Sequence, residues 1–327
     1  MNKAQLQEKL QYFIQDGETV SVEMYLQYED DNKSILTYLP ATEENKLSPA
    51  LGRIVRSQIK NKFFNESEDY QYEIVSANTA EANNVRQVFH ISKADIPRAS
   101  VIFDAVVNNK AGEFPNNLEL ERVWSYIFKV DCLNATIYLF KKNYQISVLK
   151  KESSYALLFS NNKLSLLDKD LLRLSKHFDV MLIEEELIIL NRSEFEKAFD
   201  YVGAMKAAAE VNIDVIKNSK LVDGMDIISM LSNKKNTLRK LLNINPLSKI
   251  LTKTPKQIVN LAKKYKVEFK MTDDEAKLSI TTKKSAVAFV EMLNDDYLKS
   301  EFSGSLYKIK GKSEIGATNK TIAKNAI

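Results

Sequence analysis

Residues 178–199 read FDVMLIEEELIILNRSEFEKAF, and this stretch decides the fold class. Its first half holds two mainly apolar runs, 178–183 and 185–190, that meet at an acidic tip of three glutamates, 184–186, as a β-hairpin does. Its second half opens with Asn191 and Ser193, either of which can cap a helix. Phe195 and Phe199 then start an apolar stripe continued by Val202, Met205 and Ala209. The spacing predicts one long helix over 193–218, with Ala204, Ala207 and Ala208 small enough for close approach to another backbone. A strand pair that runs straight into a long helix makes the chain α+β.

The pattern upstream is strand-rich. Residues 20–28 and 34–39 are β-formers flanking Asp30, Asp31 and Asn32, the turn chemistry of a hairpin. Pro49 is a natural first helical residue, and Leu51, Ile54, Val55, Gln58 and Ile59 follow it at helical spacing. Further strands are expected at 70–75, 85–91, 135–140, 155–159 and 163–167, the last two parted by Ser160, Asn161 and Asn162. These strands add up to a mostly antiparallel sheet.

Downstream, short helices are expected over 225–231 and 235–242 before Pro246 interrupts. Thr254 and Pro255 begin another helix, whose buried stripe is Ile258, Leu261, Ala262 and Tyr265. Strands at 267–271 and 278–281, a helix over 285–293 and a strand near 305–309 complete a small α+β module. The division expected is a strand-rich mixed α/β N-terminal domain at 1–190, a connecting helix at 191–218, a basic α+β nucleic-acid-binding domain at 219–316 and a frayed tail at 317–327.

Composition removes several function classes. The chain has 327 residues, 44% hydrophobic and 28% charged, the values of a folded globular protein. Its only cysteine, Cys132, rules out an intramolecular disulfide or a cysteine-built zinc site, and a reducing compartment is expected. Residues 1–18 carry Lys3, Glu8, Lys9, Asp16 and Glu18, unlike a signal peptide, and the runs 180–183 and 187–190 are far too short to span a bilayer. A cytoplasmic protein that reaches the inner membrane only through a partner is expected, with no direct membrane insertion.

Catalytic motifs are equally sparse. The chain has 8 glycines and no phosphate-cradling or dinucleotide glycine loop, so no cofactor is expected. The only histidines are His90 and His177, and His177, just before the apolar run that begins at Phe178, suits a structural or edge position better than a general-base role. Asp273, Asp274, Glu275 and Lys277 resemble a fragment of a metal-dependent nuclease centre, but no upstream aspartate stands at a suitable distance and a turn between strands explains them. Asp295 and Asp296 read likewise as the turn after a helix.

Charge is the strongest functional signal. From Lys217 onward there are 22 Lys and Arg against 11 Asp and Glu, a net of +11, so the first 216 residues carry −7 of the chain's total of +4. Within 234–270 every charged residue but Glu268 is basic. The candidate nucleic-acid-binding residues are Lys234, Lys235, Arg239, Lys240, Lys253, Lys256, Lys263, Lys264 and Lys266. In the helix after Pro255 the apolar stripe leaves Lys256, Lys263 and Lys264 facing solvent. Lysine dominance fits phosphate contact, which carries no sequence information, better than base reading, which favours Arg, Asn and Gln in fixed poses.

The segments 178–183, 187–191 and 195–199, together with Leu293-Asn294-Asp295-Asp296-Tyr297-Leu298-Lys299-Ser300, Tyr307 and Lys310, resemble the bacterial domain family that includes KwaB of the Kiwa anti-phage defence system. The resemblance runs from about residue 155 to 315 and rests on structural positions. It implies a DNA-binding, non-catalytic effector that works with a membrane protein resembling KwaA, and it supplies no catalytic residues. Together with the alanine-lined helix it favours a homodimer. Two alternatives stay open: a Mg²⁺-dependent nuclease with a degenerate site, and a scaffold whose basic face meets an acidic protein.

Overall fold

A computed structural model describes the chain except for residues 16–19, 31–33, 41–43, 66, 68–70, 79–85, 114–118, 134, 150–156, 161–162, 167–169, 245–247 and 309–327. The chain divides into two compact units, Met1–Ala77 with Val85–Phe199 and Asn78–Asn84 with Asp200–Ile327. Both mix helices and strands, and the fold class is α+β.

The first unit holds strands β1 (Ser21–Glu29), β2 (Ile35–Leu39), β3 (Tyr72–Ser76), β4 (Arg86–Ser92), β5 (Gly112–Glu113), β6 (Val123–Cys132), β7 (Ala135–Lys142), β8 (Val148–Leu149), β9 (Leu157–Ser160), β10 (Lys163–Leu166), β11 (Leu171–Leu172), β12 (Val180–Ile183) and β13 (Glu186–Ile189). Its helices are α1 (Lys3–Leu10), α2 (Glu44–Phe63), α3 (Pro97–Val107) and α4 (Arg192–Ala198). Nine strands form one sheet in the order β3-β4-β13-β12-β7-β6-β1-β2-β5. Pairing is antiparallel throughout the middle, as expected, and parallel only at the two edge pairs, β3–β4 and β2–β5.

Both faces of this sheet are covered. Side chains alternate across a strand, so Phe128 and Val130 of β6, Leu139 of β7 and Met181 of β12 join a core with Leu51, Val55, Ile59 and Phe63 of α2 and with Leu6 and Leu10 of α1. The opposite face is aromatic. Phe140 of β7 meets Phe103 of α3 at 6.3 Å and Phe199 at 5.0 Å between ring centroids, and Phe195 of α4 stacks on Phe199. On that face a buried amide, Gln27, donates to Thr37 Oγ1 at 3.1 Å and accepts from Ser125 Oγ at 2.8 Å, so no polar atom of this trio is stranded between β1, β2 and β6.

The second unit holds α5 (Tyr201–Asn218), α6 (Met225–Ser229), α7 (Lys235–Leu242), α8 (Pro255–Lys264) and α9 (Lys283–Leu293), with β14 (Val222–Asp223), β15 (Lys270–Met271), β16 (Leu278–Ser279), β17 (Tyr297–Lys299) and β18 (Leu306–Lys308). Its core gathers Met205, Ile228, Leu238, Leu241, Ile258, Ala262, Leu278, Phe289 and Leu293. Buried Asn212 of α5 donates to the carbonyls of Leu241 at 2.8 Å and Leu242 at 3.3 Å, satisfying the end of α7.

Three sequence expectations need correction. The helix expected over 193–218 is broken: Asp200 adopts the left-handed conformation, φ 48°, between α4 and α5. The buried positions of α5, Tyr201, Met205, Ala209, Asn212 and Ile216, are out of phase with the Phe195–Phe199 pair, so the two segments cannot share one continuous stripe. Ala207 and Ala208 are exposed. Helix α2 starts at Glu44, with Pro49 inside it rather than at its head. Strand β6, ten residues long and inside the sheet between β7 and β1, and helix α3 were not anticipated, and β15 and β16 are two residues each where five and four were expected. The turn residues Asp31, Asn32, Asn161 and Asn162, Pro246 and the tail at 317–327 lie outside the described residues.

The link between β14 and α6 turns on Gly224, φ +96°, where an added Cβ would stand 2.0 Å from the Ile280 carbonyl oxygen. Gly224→Ala therefore forces the backbone apart beside the hydrogen bond from Ile280 N to Asp223 O. We expect a loss of about 3 kcal/mol or more in unfolding free energy, combining left-handed strain with overpacking. Urea melts monitored by circular dichroism will report it, and an unchanged midpoint would contradict this account of the turn.

Candidate nucleic-acid interface

Helix α8 orients the lysines the sequence singled out. Thr254 and Gln257 form a reciprocal capping box, Thr254 Oγ1 accepting from Gln257 N at 3.3 Å and Gln257 Oε1 from Thr254 N at 3.0 Å, and Pro255 supplies the preset first φ. Ile258, Val259 and Ala262 are buried, while Leu261 and Tyr265 are only half-buried, so the inward stripe is centred slightly differently from the expected one. Lys256, Lys263 and Lys264 are exposed. At 100° per residue they fall within an arc of about 100° on the helix surface. Lys266, just past the helix at φ 58°, is exposed as well, and Lys253 is half-buried.

Helix α7 splits its four candidates. Lys234, at the N-cap, and Lys235 are exposed. Arg239 is not: it is 7% exposed, between buried Leu238 and Leu241. Lys240 is drawn into an ion cluster, its Nζ lying 2.6 Å from Glu291 and 3.7 Å from Asp296 while its carbonyl accepts from Asn294 Nδ2 at 2.8 Å. A charge count along the chain cannot register a pairing partner on α9. Arg239 and Lys240 are therefore withdrawn from the interface.

Glu291 is the centre of that cluster. Burial alone raises a carboxyl pKa, yet hydrogen bonds from Lys240, from Lys308 at 2.8 Å and from the Tyr297 hydroxyl at 2.9 Å hold Glu291 below its ordinary range. Tyr297 responds the opposite way, its pKa pushed up by burial and by the bond it donates to Glu291.

The structure adds residues that the sequence did not single out. Lys283 and Lys284 open α9, are exposed, and share a groove of about 1350 Å³ with Lys266, Lys308 and the rings of Tyr265, Tyr297 and Tyr307. An isolated lysine pair outside the 234–270 run gave little signal. A common pattern connects it to the rest: the first turns of α7, α8 and α9 contain no acid, and lysines stand there instead. Helix N-termini carry partial positive charge and ordinarily attract Asp or Glu. Lysine in that place disfavours the isolated fold and favours an anion from outside. Lys263 and Lys264, in the last turn of α8, are by contrast where a helix itself favours cations.

Asp273, Asp274 and Glu275 occupy the β15–β16 turn, where Asp274 accepts from Thr272 Oγ1 at 2.6 Å and from Ala276 N at 3.1 Å, bonds that hold its carboxyl low. Asp295, φ 54°, turns the chain between α9 and β17. His90 sits 3.0 Å from Glu186 across neighbouring strands, and His177 is exposed. Among the described residues no group of three His, Cys, Asp or Glu side chains converges as metal ligands, and no helix is long and apolar enough to cross a membrane.

Glu291 makes a pH prediction possible. Because its folded-state pKa is depressed, its contribution is complete above the unfolded value of roughly 4.3 and is lost as pH falls through the folded one. Glu291→Gln is expected to destabilise the protein at pH 7 by about 1–3 kcal/mol. The gap to wild type should shrink below pH 4, as read by urea midpoints at pH 7, 5 and 3.5. A gap that stays constant over that range removes Glu291 as the titrating group.

Comparison with known proteins adds an independent line. Residues 120–303 match the family described as Kiwa protein KwaB-like. One curated relative, Kiwa protein KwaB from Escherichia coli O55:H7 (strain RM12579 / EPEC), is 26% identical over 188 residues, which cover 56% of this chain and 60% of the relative. The match thus spans about three fifths of that relative's length. No solved structure matches the chain. The matched region takes in β6, β7, the β12–β13 hairpin, the split helix and the lysine-bearing helices α7 to α9, and the chain belongs to the Kiwa protein KwaB-like family.

Proposed function

We propose that the protein is a non-catalytic DNA-binding effector of anti-phage defence that grips the nucleic-acid backbone with little regard to sequence. The observation that carries this reading is the placement of lysines instead of acids at the starts of α7, α8 and α9, beside the exposed Lys263, Lys264 and Lys266. Membership of the Kiwa KwaB-like family supports the defence role. The protein acts from the cytoplasm with a membrane partner resembling KwaA, and it works as a homodimer that doubles the basic track.

The test is a salt titration. Five phosphate contacts, from Lys235, Lys256, Lys263, Lys264 and Lys266, give a slope of log affinity against log salt near −4.5 on duplex DNA. Lys256→Glu, Lys263→Glu and Lys264→Glu together should weaken binding on every sequence and flatten that slope by about three, because phosphate contacts carry no base information. All three side chains are exposed, so the thermal transition should not move. A folded triple variant with native affinity and native slope moves the site elsewhere, and Mg²⁺-dependent strand cleavage in the same reactions establishes the nuclease alternative instead.

Partner recruitment and assembly are checked separately. The protein alone should stay in the supernatant with anionic liposomes and pellet with membranes only when the membrane partner is co-expressed. Light scattering at micromolar concentration should give twice the chain mass, and a monomer mass removes the dimer.

A further inference from the structure

The first unit contains a cleft that the DNA reading leaves unused. It has a volume of about 1160 Å³ and lies where α2 passes the ends of β4, β7, β12 and β13. Its polar lining is cationic: Arg53 and Lys62 from α2, Arg86 from β4, Lys141 from β7, Lys176 before β12 and Arg192 from α4, with Asp179 the one acid. This concentration arises in the part of the chain whose net charge is negative, and its members come from five separate segments, so no sequence run announces it.

Local pairing accounts for part of the cluster: Arg192 Nε lies 3.5 Å from Glu196 while its Nη2 donates to the Ala77 carbonyl at 2.9 Å, and Lys141 is held by Asp179. The buried Asp179 carboxylate is filled from its own side, accepting from Lys141 Nζ and from Lys142 N, each at 2.9 Å. Lys62 Nζ donates to a neutral acceptor, the Leu190 carbonyl, at 2.9 Å. Burial first, then the nearby Arg86 guanidinium, pull the Lys62 pKa down to about 8 against the pull of Asp179. Arg53 and Lys176, at the rim, are exposed and make no ion pair among the described residues. Holding like charges together in a half-dry concavity costs stability unless an anion enters. The walls are fixed: Gln58 of α2, with its amide oriented to satisfy both groups, donates to the Lys176 carbonyl at 3.2 Å and accepts from Phe178 N at 3.0 Å.

We propose that this cleft binds a small polyphosphate-bearing molecule of nucleotide size. Arg53 offers a planar fork suited to phosphate oxygens, Lys62 and Lys176 offer point charges, and the volume exceeds what a single phosphate fills. The site lies in a different unit from the α8 lysines and stands or falls independently of them.

The experiment uses the full chain. Inorganic triphosphate and ATP are titrated by calorimetry and by thermal shift, with a short duplex DNA as competitor. Both phosphates should bind and raise the melting temperature. Arg53→Glu with Lys176→Glu, both exposed and therefore compatible with folding, should weaken ATP by roughly 100-fold through loss of two charge-assisted contacts. The Lys256, Lys263 and Lys264 triple variant should bind ATP as wild type does while losing DNA, which separates a failure here from a failure of the DNA reading. No binding of triphosphate or ATP at millimolar concentration overturns the proposal. So does ATP affinity unaffected by the Arg53–Lys176 change, or complete displacement of ATP by duplex DNA, which would assign the cleft to nucleic acid.

Discussion

The first unit depends on one buried carboxylate. Asp179 is 1% exposed, and it joins three chain segments at once: its side chain accepts from Lys141 Nζ and Lys142 N, its amide donates to the Phe140 carbonyl, and its own carbonyl accepts from Leu190 N and Asn191 N. Through these bonds the end of β7, the start of β12 and the end of β13 are tied at one point. The tie also sets where α4 begins, since Asn191, held by Asp179, is the residue whose side chain caps that helix. Burial pushes the Asp179 pKa up, and Lys141 opposes the rise. A carboxylate in this position is tolerable only with both donors in place. The floor of the cationic cleft is therefore a by-product of closing the sheet.

What could be read from the sequence, and what could not, follows from the range of the interactions involved. The β12–β13 hairpin and the capped start of α8 are local: the 184–186 tip and the Thr254–Gln257 box lie within a few residues of what they determine. Strand β6 escaped because both its faces are buried, Tyr126, Phe128 and Val130 on one side and Ile127 on the other, so the period-two signal vanishes. The break at Asp200 escaped because apolar residues run through it, and only the phase of the buried positions betrays it. In the candidate interface, exposure of Lys256, Lys263 and Lys264 followed from helical spacing alone. The capture of Lys240 by Glu291 did not, because it spans α7 and α9. The cleft of the first unit could not be read at all, since its six cations are adjacent only after folding.

The two units handle positive charge differently. In the second, lysines stand outward at helix starts, where the backbone dipole opposes them, and Glu291, the one buried acid of that unit among the described residues, is fully engaged by Lys240, Lys308 and Tyr297. In the first, cations converge inward on a concavity. An outward array suits a long polyanion, whereas a concave one suits a compact anion. The contrast arises from secondary structure: helix surfaces display charge, and the ends of sheet strands beneath a helix enclose it.

The strand order also carries a kinetic consequence. β1 pairs with β6, Ser21 against Asp131, and β4 pairs with β13, His90 against Ile188. Partners roughly a hundred residues apart give the sheet a high contact order, and such topologies close slowly because loop entropy must be overcome before the pairing repays it. During synthesis the β1–β2 hairpin must wait for β6, and β4 for β13, with strand edges open to other chains until each neighbour emerges from the ribosome. The native sheet places its short β5 at one margin and the parallel β3–β4 pair at the other, so that hazard belongs to the nascent chain far more than to the finished protein.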